Sequence, residues 1–84
     1  MDPRSPEHAA FGRAIRALRE ERGIAQEAFA LRCDIDRSHY SGMERGERNP
    51  SLSMVFKIAA ALDVRTSEVF ERAEAIQGRE PGSR

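Results

Sequence analysis

Four residues within nine positions, Arg37, Ser38, Ser41 and Arg45, carry the densest polar signal in this chain. Wound as a helix, Ser41, Arg45, Ser38 and Gly42 stand roughly 40°, 80°, 100° and 140° from Arg37, on one arc. Tyr40 and Met43 fall on the far side, at roughly 300° and 240°. The near face is small and polar, with an arginine at each end. A guanidinium bonds guanine O6 and N7 as a pair, and a serine hydroxyl bonds either kind of base. Glycine lets a backbone approach closely. Such a face suits the major groove of double-stranded DNA, with Arg37, Ser38 and Ser41 as base readers. The same pattern also fits a helix face that is merely solvated.

Other chemistry finds less support. Asp36, Ser38 and His39 share one helical turn, where their side chains diverge instead of forming a proton relay. No catalytic residue is assigned, and the chain reads as a non-enzyme that needs no cofactor. His8 reads as a surface residue, because no His, Cys or acid cluster offers metal-ligand spacing. His39 lies about 200° round the wheel, at the edge of the reading face, either as a phosphate contact or as a bystander. The lone cysteine, Cys33, excludes an internal disulfide framework and a zinc ribbon. It reads as a small core residue.

The elements that must position these residues are all helical. Ser5-Pro6-Glu7 gives a first helix its cap, its first-turn proline and its first-turn acid. Phe11, Ala14, Ile15 and Leu18 follow as one apolar stripe, and Gly23 supplies the stop. A second helix is predicted from about Ala25 to Cys33, burying Phe29, Ala30 and Cys33. Asp34-Ile35-Asp36 forms the turn, and Asp36 caps a third helix over Arg37–Arg45. Gly46 to Pro50 is a loop. Ser51 caps a fourth helix with a stripe of Leu52, Val55, Phe56, Ala59 and Leu62. A fifth begins near Thr66 and carries Val69, Phe70, Ala73 and Ile76. The expected architecture is all-α, a single domain over residues 1–77, with a disordered polar tail over 78–84.

Composition sets limits. Eighty-four residues form one small domain that buries about two-thirds of its unfolded surface. The 14 basic and 14 acidic residues cancel, so the placement of charge matters more than its sum. Arg37–Lys57 holds four basic residues against two acidic ones, whereas the flanking segments are slightly acidic. No apolar run reaches the ~20 residues of a membrane span. No signal-peptide core is visible. A cytoplasmic protein with no membrane partner and no small-molecule ligand is the expectation.

The run from Gly23 to Phe70 resembles the Cro/CI-type (XRE) helix-turn-helix regulators of bacteria and phages. The resemblance is carried by Gly23-Ile24, Gln26-Glu27 with Ala30, Ile35-Asp36-Arg37-Ser38, and Ser41 with Met43-Glu44-Arg45-Gly46. It continues through Arg48-Asn49-Pro50-Ser51, Lys57-Ile58-Ala59 and Leu62 to Phe70. It implies a five-helix repressor-like fold with the helix-turn-helix at helices 2 and 3, and transcriptional control through homodimers on operator half-sites. Asp36-Arg37-Ser38 and Ser41-Gly42 look most like controller proteins of restriction–modification systems. The same resemblance puts Arg37 and Ser38 where bases are read. Gln26 falls where a glutamine bonds phosphate and buttresses the reading helix. Arg45, Arg48 and Asn49 fall where the DNA backbone is held, and Arg19 falls where it pairs with Glu44. Ala25 departs from the usual Ser/Thr cap, Asp34 from the usual turn glycine, and Gly42 from a side chain that some relatives use on bases.

The fifth helix has apolar residues to spare once the core is closed. Phe70, Ala73 and Ile76 are therefore expected at the interface of a homodimer, with Val69 in the core. The alternative is an interaction protein, such as an antitoxin, that uses its helix-turn-helix mainly for assembly.

Overall fold

The computed structural model describes residues 5–78. Among them are five helices and no strand: α1 (Pro6–Glu21), α2 (Gln26–Cys33), α3 (Arg37–Glu44), α4 (Leu52–Leu62) and α5 (Thr66–Ile76). Apart from Gly78, the tail expected over 78–84 lies outside the described residues.

Local chemistry accounts for most helix ends. Ser5 Oγ accepts the His8 amide, with Pro6 opening α1. Asp36 accepts the amides of Ser38 and His39 at the start of α3, and Ser51 Oγ accepts that of Met54 at the start of α4. Ala25 leaves α2 without a side-chain cap. Glu68 reaches back to the Arg65 amide and closes the first turn of α5, 3.0 Å away. Helices α2 and α4 both end on aspartates in left-handed geometry, Asp34 at φ 57° and Asp63 at φ 61°. A short polar side chain tolerates that conformation better than most.

The core gathers Ile15, Phe29, Tyr40, Met43, Ile58, Leu62 and Val69, all essentially sealed from solvent. The Phe29 and Tyr40 rings meet at 5.3 Å between centroids, locking α2 to α3. Cys33 is buried beside them, and desolvation pushes its thiol up to about 11. Helix α1 packs against α3, α4 and, most extensively, α5. Its crossing with α3 is so close that a Cβ on Gly12 would be driven into the carbonyls of Met43 and Glu44. The last turn of α3 therefore rests directly on the backbone of α1.

Two expectations fail. Leu52 and Phe56 lie outside the core, 73% and 57% exposed, and Ile58 takes the buried place instead. Helix α4 is apolar nearly all round, so periodicity alone could not choose its inner face. His8 is buried, not superficial. Its ring bonds Ser5 Oγ through Nδ1 at 2.8 Å and Asn49 Oδ1 through Nε2, joining α1 to the loop after α3.

Candidate nucleic-acid interface

Arg37, Ser38, Ser41 and Arg45 line one shallow cleft with Asp36 on the outer side of α3. Tyr40 and Met43 point into the core behind them. The Asp36 carboxylate accepts the Ser38 hydroxyl at 2.6 Å and two amides of the first turn. The Ser38 hydroxyl, with the amides behind it, holds the Asp36 carboxyl below its usual range. Arg45 donates Nη1 to Ser41 Oγ at 2.6 Å and Nε to Glu47 at 3.1 Å, so its guanidinium is fixed along the face. Arg37 stays exposed at the N-terminal end of the helix, free to extend.

The support under this face converges on Glu44, which is buried. Arg19 donates Nε to Oε2 at 2.6 Å and Nη2 to Oε1 at 3.0 Å, the forked geometry that suits a carboxylate. Gln26 Nε2 adds 2.9 Å to Oε1, and Tyr40 donates its hydroxyl to Oε2 at 2.5 Å. Arg19 also holds the Ile24 carbonyl through Nη1 at 2.7 Å, before α2 begins. One carboxylate thus ties α1, α2 and α3 together. Burial works to raise the Glu44 pKa, but the bonds from Arg19, Tyr40 and Gln26 outweigh it and hold the carboxyl below its ordinary value. The same contact raises Arg19, and burial with the bond to Glu44 raises Tyr40.

The other expected backbone contacts have mixed placements. Gln26 spends one amide proton on Glu44, which leaves the second unengaged at the uncapped start of α2. Arg48 is exposed and lays its stem over Gly42, whose carbonyl accepts the amides of Glu47 and Arg48 at 2.8 and 3.2 Å. Gly42 is accordingly the seat of the loop after α3, not a gap facing bases. The helical wheel could not foresee that the loop folds back over it. Asn49 already engages its side-chain carbonyl with His8, so only its amide end remains unengaged. The Nε2 of His39 is enclosed and without a partner, so that nitrogen does not stand on the exposed face of α3.

Two features escaped the sequence reading. Tyr40 is a support of Glu44 as well as a core ring; a Tyr four residues before a Glu on one helix was the available signal. The other is the outward turn of Leu52 and Phe56 on α4, both exposed, with Leu52 lining a groove beside Phe11, Pro50, Val55 and Phe70. Phe70 rests on Phe11, with ring centroids 6.0 Å apart, yet stays 47% exposed. Ala73 is a correction: it is closed against Ala10 and Ala14 within one copy, and Ile76 packs half-buried on the same cluster.

Comparison with known proteins settles the kinship of this architecture. The model of a helix-turn-helix family matches residues 15–69, well over half the chain. The chain belongs to the helix-turn-helix family. Among individual relatives of this helix-turn-helix chain, the control protein C.MunI of a Mycoplasma species is 43% identical over 65 residues. That span is 76% of this chain and 88% of the relative. The control protein C.BamHI of Bacillus amyloliquefaciens is 37% identical over 62 residues, 73% of this chain and 76% of that one. Among solved structures, the restriction–modification controller protein C.AhdI of Aeromonas hydrophila superposes with a TM-score of 0.77 at 41% identity. The match covers 79% of this chain and all of that one. The family, the five-helix fold and a DNA-binding regulatory role therefore stand together.

Proposed function

We propose that the chain regulates transcription as a homodimer, each copy placing α3 in the major groove of one operator half-site, in the manner of a restriction–modification controller. The observation that carries this reading is the outer face of α3. Arg37, Ser38, Ser41 and Arg45 line one cleft on a helix whose inner side is pinned through buried Glu44. Control proteins with 37–43% identity over most of the chain support the sub-family. In this reading Arg37, Ser38 and Ser41 meet base edges. Gln26, Arg45, Arg48 and the amide of Asn49 hold the DNA backbone. His39 joins them only if its ring turns outward.

One reading helix meets only a few base pairs, and helix-turn-helix proteins gain specificity from two half-sites one DNA turn apart, ~34 Å. The second copy needs an apolar surface to rest on. Leu52 and Phe56 lie four residues apart on α4, and Phe70 faces Leu52 across the groove. This surface is the proposed two-fold interface; Ile76 lies apart from it, against Ala10, Ala14 and Ala73. An isologous contact of this kind presents the same patch from both copies.

The test separates two arginines. Arg37→Ala should cost about 1–3 kcal/mol on operator DNA and relax discrimination at one base pair. Arg48→Ala should weaken all duplexes alike and lower the salt slope by about one unit. Titrations on operator and random duplexes at several salt concentrations measure both. Equal losses on the two duplexes for Arg37→Ala would overturn its role as a base reader.

A further inference from the structure

The two serines of α3 have opposite neighbours. Ser38 Oγ lies 2.6 Å from the Asp36 carboxylate, which can only accept, so the single hydroxyl proton of Ser38 is donated inward. Its outward side is lone pairs alone. Ser41 Oγ lies 2.6 Å from Nη1 of Arg45, which can only donate, so Ser41 accepts there and keeps its own proton for another partner. Neither polarity depends on where hydrogens are placed, because a carboxylate and a guanidinium each have one possible role. The two bonds are charge-assisted and in the short range for their kind. Asp36 is further held by the Ser38 and His39 amides, and Arg45 by Glu47.

We propose that Asp36 and Arg45 set the hydrogen-bond polarity of the reading face, so that Ser38 accepts from a base amino group while Ser41 donates to a base acceptor. This deepens the regulator reading and rests on it. In the major groove the amino groups are adenine N6 and cytosine N4, and the acceptors are guanine O6 and N7, adenine N7 and thymine O4. Phosphate oxygens only accept, so Ser38 cannot serve one without abandoning Asp36. The polarity therefore assigns Ser38 to bases and excludes it from the backbone. The two serines are three residues apart, roughly 4.5 Å along the helix axis, and address neighbouring positions. Asp36 and Arg45 act on the bases as positioning residues, and Arg45 keeps Nη2 for its contact with the DNA backbone while Nη1 and Nε hold Ser41 and Glu47.

The experiment begins with the full chain enriching duplexes from a randomised pool. Single functional groups are then deleted in the enriched duplex. 2-Aminopurine for adenine or a 2-pyrimidinone for cytosine removes the amino group, and 7-deazapurines remove N7. Deleting one particular amino group should weaken wild-type binding about five- to tenfold. Ser38→Ala should show the same loss on the intact duplex and no further loss on the amino-deleted one. Ser41→Ala should remain sensitive to that deletion and instead lose sensitivity to an acceptor deletion nearby. Thermal melting of both variants near wild type verifies that the helix is intact. If Ser38→Ala couples to an acceptor deletion, or lowers the salt slope as a phosphate contact would, the assignment is overturned. If wild type enriches no sequence over random DNA, the regulator reading itself falls and takes this inference with it.

Discussion

Glu44→Ala is expected to lower the melting temperature by more than ~10 °C, and to weaken DNA binding along with it. The variant leaves the buried Arg19 guanidinium with the Ile24 carbonyl and a distant, half-exposed Glu20 carboxylate at 4.0 Å, and leaves the Gln26 amide and the Tyr40 hydroxyl without their acceptor. Breaking a buried pair from one side costs about 3–5 kcal/mol. Each kcal/mol moves the melting temperature of a domain this size by about 4–8 °C. Two exposed charges would give almost nothing, so a melting temperature within a few degrees of wild type would remove Glu44 from its central place. The pH dependence has a definite sign. Folding holds the Glu44 carboxyl below its ordinary 4.5, so its contribution is complete above that value. It is lost as the pH falls through the lower folded value. Glu44→Gln should melt lower at neutral pH and lose less stability than wild type when acidified, which melts in a pH series would show.

Phe56→Asp is expected to give a folded monomer whose affinity for a palindromic operator falls roughly a hundredfold or more, through loss of the linked second half-site. Phe56 is 57% exposed in one copy, so the substitution removes little from the core. A carboxylate there would instead have to be desolvated against its own counterpart across the two-fold axis. Affinity for random DNA should be nearly unchanged, because α3 and its arginines are untouched. Sedimentation measures the first effect and binding titrations the second. A Phe56→Asp protein that still sediments as a dimer would move the interface away from α4.

Much of the fold could be read from local signals. Ser5, Asp36 and Ser51 each announce a helix start by an oxygen that takes an orphan amide, and each does so in the structure. The resemblance supplied the pairing of Arg19 with Glu44, and the two are bonded through both carboxylate oxygens. What stayed hidden depends on contacts distant in sequence or on faces that periodicity leaves ambiguous. The His8–Asn49 bond spans 41 positions, and no local pattern predicts it. Gly42 sat on the outward arc of the wheel, yet the loop after α3 covers it with Arg48. Leu52 and Phe56 belonged to an apolar stripe, but a stripe says only that something must cover it, not whether that cover comes from the same copy. Ala73 shows the reverse case: its position on the apolar face of α5 suits a partner copy, but α1 closes over it within one copy.

The sealed thiol of Cys33 gives this molecule a built-in clock. It is the chain's single cysteine, and its pKa of about 11 leaves almost no thiolate near neutrality. With Cys33 3% exposed at the floor of a cleft beside Lys57 and Ala61, alkylation is slow in the folded state and fast once α2 swings away from the core or the whole domain opens. One covalent event per molecule, read by mass, then reports how often the helix before the reading helix detaches. DNA that engages the start of α2 would hold that helix down and slow the labelling, with no probe attached to the protein.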